Sequence, residues 1–200
     1  MQKELTYMTK EIDFYFDFIS PYAYLAHKKI QSLPKNITVN YKPILLGGLH
    51  NLEGITPPAF IKSKLKNMMN DCYLIAEKNG FNFKWNMEFP LNSLNLMRGC
   101  LYINSTIKDQ YIDIMFDAYW KNNLNITNEE TLSTILKTCK IDSNIFLTAI
   151  KDPIIKNKLK DATNDAHEKG VFGAPTFIVN KKVFWGQDRL IYALDEYKNV

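Results

Sequence analysis

Cysteine is scarce in this 200-residue chain, and its three cysteines lie far apart. Cys72, Cys100 and Cys139 form no Cys-x-x-Cys pair, and with the three histidines they show no metal-ligand spacing. An odd number of unpaired cysteines argues against a disulfide-stapled fold and indicates a reducing compartment. We expect each thiol to be a small buried side chain within a helix, and we assign the histidines no role.

Long apolar runs and a strong charge of one sign are also missing. No run approaches the roughly 20 apolar residues that cross a bilayer, and Met1–Lys10 lack the apolar core of a secretory signal. We therefore expect a cytoplasmic protein that does not enter a membrane. The formal net charge of +4 is too weak to indicate a nucleic-acid binder, whereas a mild positive field suits anionic small molecules.

Apolar residues make up 46% of the chain, enough for a sizeable core, and they first appear in an aromatic-rich alternation. Ile12–Phe18 alternates apolar and polar side chains, which predicts a strand. Ser20 and Pro21 then form a helix start, and helical spacing continues over Tyr22–Leu33. Ile37–Ile44 predicts a second strand, parallel to the first because a helix connects the two.

The middle of the chain has helical spacing almost throughout. The segment Gly47–Pro58 holds Gly, Asn and Pro and predicts a loop. The helices predicted after it are Pro58–Asn79, Ser93–Ile107, Lys108–Asn122, Asn128–Thr138, Ser143–Ala149 and Pro153–Lys169.

Near the end of the chain the spacing of apolar residues becomes that of β-strands again. Thr176–Asn180 and Lys182–Trp185 predict two short strands, joined at Asn180 and Lys181 by a tight hairpin because Asn tolerates positive φ. A last helix is predicted over Arg189–Tyr197. The two ends of the chain can only complete a sheet together. We therefore predict a discontinuous α/β domain, residues 10–50 and 170–200, interrupted by a helical insertion domain, residues 51–169.

Ser20 lies where a parallel strand ends and a helix begins, the edge at which open α/β sheets bind ligands. The start of a helix offers unpaired N–H groups and a partial positive charge, which stabilise an anion such as a thiolate. Lowering a thiol pKa by about 2 units requires roughly 2.7 kcal/mol of preferential stabilisation, which a hydroxyl and a helix terminus can supply. The alternative is that Ser20 is an ordinary N-cap.

Three motifs in order resemble one known family. Phe14–Ala26, Gly170–Phe177 and Phe184–Leu190 are similar to the signatures of 2-hydroxychromene-2-carboxylate isomerases, a pattern shared with kappa-class glutathione transferases. Both groups are related to the DsbA-like disulfide oxidoreductases of the thioredoxin superfamily. The resemblance implies a thioredoxin-like fold with a large all-helical insertion. At Ser20–Ala23, where the oxidoreductases have Cys-x-x-Cys, this chain reads Ser-Pro-Tyr-Ala, so dithiol exchange at this site is excluded.

The resemblance implies glutathione as the source of the missing sulfur, with its thiol held at Ser20. Ala174 and Pro175 match the cis-proline loop of the family, whose backbone pairs with the tripeptide. Gln187 and Asp188 match the positions that hold the γ-glutamyl end, although Asp188 is alternatively a cap of the last helix. Lys64 matches a basic residue that binds the tripeptide in relatives, and is alternatively a solvated lysine.

One position departs from the family pattern. Relatives often have Asn two residues before the Pro-Pro pair, and this chain has Ile55 there. The substitution removes a polar contact to the tripeptide, which Thr56 or Asn51 could replace.

The implied activity is glutathione-dependent isomerisation of a small aromatic acid such as a 2-hydroxychromene-2-carboxylate. Arg98, in a stretch similar to that of the isomerases, is a candidate for the substrate carboxylate, or a plain surface arginine; Tyr22 is a second substrate candidate. Trp185 resembles the isomerases and is predicted to be a core residue. Two rival functions remain: a kappa-like glutathione transferase and a non-catalytic thioredoxin-fold binding module. A homodimer is expected by analogy.

Overall fold

The computed structural model describes residues 10–199, so most of the polar start on which the signal-peptide expectation rests lies outside the described residues. Four strands form one mixed sheet in the order β2-β1-β3-β4. Their bounds are β1 Ile12–Phe16, β2 Val39–Pro43, β3 Thr176–Val179 and β4 Lys182–Trp185. The pair β1 and β2 is parallel, whereas β3 runs antiparallel to β1 and β4. The two ends of the chain thus build one sheet, as predicted.

The described residues form nine α-helices in addition to two short 3₁₀ turns at Pro58–Phe60 and Gln187–Arg189. The helices are α1 Pro21–Gln31, α2 Leu46–Glu53, α3 Lys62–Asn79, α4 Leu94–Tyr102, α5 Ser105–Trp120, α6 Glu129–Thr138, α7 Ser143–Ala149, α8 Pro153–Glu168 and α9 Leu190–Lys198. The strands and α1 lie within two residues of their predicted bounds. In the described part of the chain no helix combines the length and the apolar character of a membrane span.

The central strand β1 is held by aromatic side chains on one face. Phe14 packs between its partners on both sides, with ring centroids 5.1 Å from Tyr41 and 5.3 Å from Phe177. At the far edge, Asn180 and Lys181 both have positive φ, so β3 and β4 meet in the predicted tight hairpin.

The predicted loop Gly47–Pro58 is wrong over its first half, where α2 forms. Two adjacent glycines lower the intrinsic helix propensity of this segment. Packing outweighs that cost. Leu49 is fully buried in a small cluster beneath the sheet. Gly48 leaves room for Thr163 of α8, because a Cβ at position 48 would lie 3.4 Å from the Thr163 side chain. Tertiary contacts therefore decide α2.

The predicted junction between Ile107 and Lys108 is also wrong. The chain breaks instead at Ile103 and Asn104, which are both extended, and α5 begins at Ser105. Asn104 occupies the N-cap position, where Asn is favoured, and Ile103 is buried.

The helical insertion packs directly on the sheet and on the turn that precedes α1. Trp120 at the end of α5 is fully buried, and its Nε1–H donates to the Phe18 carbonyl at 2.8 Å. Phe116 of the same helix contacts Phe18 with ring centroids 4.9 Å apart. One continuous core therefore joins the insertion to the sheet.

Candidate active site at the start of the first helix

Ser20 is the N-cap of α1, and its hydroxyl makes two contacts. Its Oγ accepts a hydrogen bond from the Ala23 N–H at 3.1 Å and donates one to the Ala174 carbonyl at 2.9 Å. Only 4% of the residue is exposed. The N-cap prediction is therefore confirmed, and the same hydroxyl also joins α1 to a loop 154 residues further along the chain.

That loop has the predicted geometry. The Ala174-Pro175 peptide bond is cis. The Pro175 carbonyl accepts from the Gly186 N–H at 2.9 Å, so the residues that follow β4 are held beside the start of β3. This contact brings the segment that contains Gln187 and Asp188 to the Ser20 end of the sheet.

Asp17 organises the turn between β1 and α1, and the sequence reasoning missed it. The carboxylate is fully buried and accepts hydrogen bonds from the Ile19 N–H at 3.1 Å, from the Leu46 N–H at 2.8 Å and from the Ser93 side chain. Burial raises the pKa of Asp17, and these hydrogen bonds oppose the rise. An acid at the end of an otherwise aromatic strand is the sequence signal that points to such a role.

The 3₁₀ turn at Gln187–Arg189 packs against α1. The Lys29 ammonium, another residue that sequence reasoning missed, donates to the Gln187 Oε1. Asp188 contacts the neighbouring Arg189, with Oδ2 and Nε 3.2 Å apart. The alternative that Asp188 caps the last helix is wrong, because neither the 3₁₀ turn nor α9 has a side-chain cap hydrogen bond.

Tyr22 of α1 contacts α3, and Lys64 is part of that helix. The Tyr22 hydroxyl donates to the Asp71 Oδ2 at 2.8 Å, and burial together with this bond raises the pKa of Tyr22. Lys64 precedes Asp71 by two helical turns, about 10 Å along the same face of α3. Its side chain is exposed, and residues 10–199 offer it no hydrogen bond or ion pair. At the end of α2 and just beyond it, Ile55 and its possible substitutes Asn51 and Thr56 are exposed as well.

Arg98 and Trp185 differ from the other candidates. Arg98 donates to Asn95 at 3.3 Å, its Nε is buried without a partner, and no hydrogen bond among the described residues joins it to Ser20 or Ala174. The core prediction for Trp185 is wrong. Its side chain is 54% exposed and packs on Phe172, with ring centroids 4.9 Å apart, at the edge of the cis-proline loop.

The start of α1 has the donors that an anion requires. Pro21 has no N–H, and the Ala23 N–H is bonded to Ser20, which leaves the Tyr22 N–H without an acceptor inside the helix. Together with the Ser20 hydroxyl and the partial positive charge of the helix terminus, it favours a negative charge at this position. The positions of the missing dithiol are filled by Ser20–Ala23, so the site has no nucleophilic sulfur of its own.

A β-α-β unit and a β-hairpin in one mixed sheet, with a cis-proline loop against the first helix, define a thioredoxin-fold protein of the DsbA type. The family model described as the DSBA-like thioredoxin domain matches residues 11–198, and the chain belongs to this family.

Individual relatives agree with the resemblance found in the three motifs. The chain is 28% identical to a 2-hydroxychromene-2-carboxylate isomerase of Sphingobium xenophagum, which covers 95% of this chain and 98% of the relative. It is 26% identical to glutathione S-transferase kappa 1 of Caenorhabditis elegans, covering 89% and 86% of the two chains. A solved 2-hydroxychromene-2-carboxylate isomerase superposes with a TM-score of 0.87 over 94% of each chain, at 24% identity.

Proposed function

We propose that this chain is a glutathione-dependent isomerase that acts on an aromatic acid of the 2-hydroxychromene-2-carboxylate type. The names of its relatives support an isomerase or a glutathione transferase. The observation that carries the proposal is the Ser20 hydroxyl, which lies at a helix start that favours an anion and in a family position where disulfide oxidoreductases have cysteine.

The site fits glutathione in the chemistry of its donors and acceptors. The Ala174 carbonyl, which now accepts from Ser20, is the acceptor that a peptide N–H of the tripeptide would take in β-like pairing. That exchange releases the Ser20 O–H to donate to the sulfur, while its Oγ still accepts from Ala23. Asp188 and Lys64 would bind the charged ends of the tripeptide.

Bound glutathione would supply a thiolate nucleophile for reversible addition to a conjugated carbon of the substrate, a chemistry that permits rotation about the former double bond and returns the thiol unchanged. Ser20 and the Tyr22 N–H keep the sulfur ionised by preferring the charged form. Arg98 has a buried Nε without a partner and is the proposed contact for the substrate carboxylate, with the Tyr22 ring beside the substrate.

The experiment is an isomerisation assay on 2-hydroxychromene-2-carboxylate, followed by ultraviolet absorbance with and without glutathione. We expect turnover only when glutathione is present, and a free-thiol titration that is unchanged after many turnovers. Turnover at the same rate without glutathione would refute the proposal.

A kappa-type transferase is the second candidate, and the likeness to kappa-class relatives favours it. A transferase would consume one thiol for each product, so the same thiol titration separates the two enzymes. A binding module that has lost both catalysis and this ligand would bind no glutathione in a calorimetric titration and would turn over neither an isomerase substrate nor an electrophile.

A further inference from the structure

A lysine without a carboxylate partner lies beside the proposed glutathione site. Lys29, on the last part of α1, is half-buried, and its Nζ donates to the Gln187 Oε1. Among residues 10–199 no Asp or Glu oxygen lies within ion-pair distance of this ammonium. Burial lowers the pKa of Lys29, and the negative charge of Asp188 opposes the shift. The two side chains therefore interact electrostatically although they form no ion pair.

The neighbouring lysine shows what a paired cation looks like on this helix. Lys28 contacts Asp113 at 2.9 Å and Asp117 at 2.7 Å, and both of these carboxylates lie on α5. A half-buried ammonium whose only side-chain partner is a neutral amide keeps N–H donors and a positive charge that can bind an anion. Lys29 therefore differs from a solvated surface lysine and from a structural ion pair.

The separation of Lys29 and Ser20 along the axis of α1 is of the same order as the length of glutathione. Lys29 follows Ser20 by nine residues, about 13.5 Å along the helix axis, and helical side chains lean toward the N-terminus. Its ammonium therefore lies less than about 13.5 Å from Ser20 when the separation is measured along the helix axis. A γ-glutamylcysteine unit spans about 7–10 Å when extended.

We infer that Lys29 binds the α-carboxylate of the γ-glutamyl group, opposite Asp188, which takes the ammonium of the same group. This assignment rests on the proposed use of glutathione and adds to it a second charge and a residue outside the three sequence motifs. The pair would select zwitterionic γ-glutamyl thiols over simple thiols, because each charge of the ligand meets its opposite. Arg189 is the other cation nearby, but it contacts Asp188 and the Tyr192 ring.

Calorimetric titration with three thiols tests the assignment. The first is glutathione, the second has 4-aminobutyryl in place of γ-glutamyl and lacks the α-carboxylate, and the third has glutaryl and lacks the amine. Four variants are compared. Lys29→Met keeps the apolar stem, Lys29→Arg keeps the charge, and Asp188→Ala removes the carboxylate assigned to the ligand ammonium. Lys158→Met removes one exposed positive charge from α8 and is the matched control.

We expect Lys29→Met to weaken glutathione about tenfold, as for one charge-assisted contact at a half-buried site, with Lys29→Arg and Lys158→Met close to wild type. The 4-aminobutyryl thiol should bind wild type and Lys29→Met with equal affinity, because it lacks the carboxylate. Asp188→Ala should weaken glutathione and the 4-aminobutyryl thiol but leave the affinity for the glutaryl thiol unchanged, because that ligand lacks the amine. Equal weakening of all three thiols by Lys29→Met, or no weakening, overturns the assignment of Lys29. A wild-type chain that binds no glutathione at millimolar concentration overturns the proposed function itself.

Discussion

The Ser20 hydroxyl serves two neighbours at once, as acceptor for the helix that it begins and as donor to the loop at Ala174. Its accepting contact is structural, because it satisfies an N–H that the first turn of α1 cannot pair internally. In the proposed mechanism, its donating contact is the one that a bound thiol takes over. The two contacts predict different consequences when the hydroxyl is removed.

Ser20→Ala is expected to lower isomerase kcat/KM by about a hundredfold or more, as for loss of one donor to a developing anion. Its stability should fall by only about 1 kcal/mol, the usual value for a lost N-cap. Steady-state kinetics and urea unfolding measure the two effects.

The matched control is Asn128→Ala. Asn128 caps α6 in the same way, accepting from the Thr131 N–H at 3.0 Å, and is remote from the sheet edge that holds Ser20. The control should lose similar stability and keep full turnover. If the two variants turn over equally well, Ser20 has no part in the mechanism.

At the scale of elements, glycines in two helices illustrate how packing decides the effect of one methyl group. A Cβ at Gly47 in α2 would meet no atom within 4 Å. A Cβ at Gly99 in α4 would lie 2.5 Å from the Tyr111 Oη and 2.6 Å from the Phe146 Cζ, both of them buried.

Gly47→Ala is expected to stabilise the protein by about 0.5–1 kcal/mol, because alanine restricts the unfolded chain and favours helix. Gly99→Ala should destabilise it by about 1–3 kcal/mol, since the core around α4 must shift. Urea midpoints of the two variants measure the difference. A stabilised Gly99→Ala would contradict the packing described for α4.

At the scale of the molecule, a buried polar network connects the sheet domain to the helical insertion. His27 of α1 has its Nδ1 2.7 Å from the Tyr41 hydroxyl and its Nε2 3.0 Å from the Asp113 Oδ1 of α5. His27 and Lys28 hold the pKa of Asp113 well below its usual range, while burial lowers the pKa of His27. The network and the shared core predict that both parts unfold together, in one transition.

The same pKa shifts predict acid sensitivity. The native state disfavours protonation of both groups, so stability is complete above the unfolded pKa of His, about 6.5, and decreases as pH falls below it. A further decrease is expected below about pH 4, as Asp113 approaches its folded pKa. Asp113→Asn should flatten the lower part of the curve.

Chemical unfolding between pH 3 and 7.5 measures this dependence. Asp195→Asn, which removes a largely exposed carboxylate from α9, is the matched control and should leave the curve unchanged. An Asp113→Asn curve parallel to that of wild type would show that the network does not control the acid response.

The sequence alone determined the elements of the sheet, the start of α1 at Ser20 and Pro21, the hairpin at Asn180 and Lys181, and the family. These features depend on local alternation, turn chemistry and short ordered motifs, which neighbouring residues specify. The cis bond before Pro175 was also predicted, because the resemblance identified its loop.

Only the tertiary structure decided α2, the break before α5, the exposure of Trp185 and the hydrogen-bond partners of Asp17 and Lys29. The partners of Asp17 are Leu46 and Ser93, and that of Lys29 is Gln187, all distant in the chain. Folding pairs such residues through burial and hydrogen bonding rather than through spacing. A local pattern can therefore mark Asp17 as unusual, but it does not identify the partners of either residue.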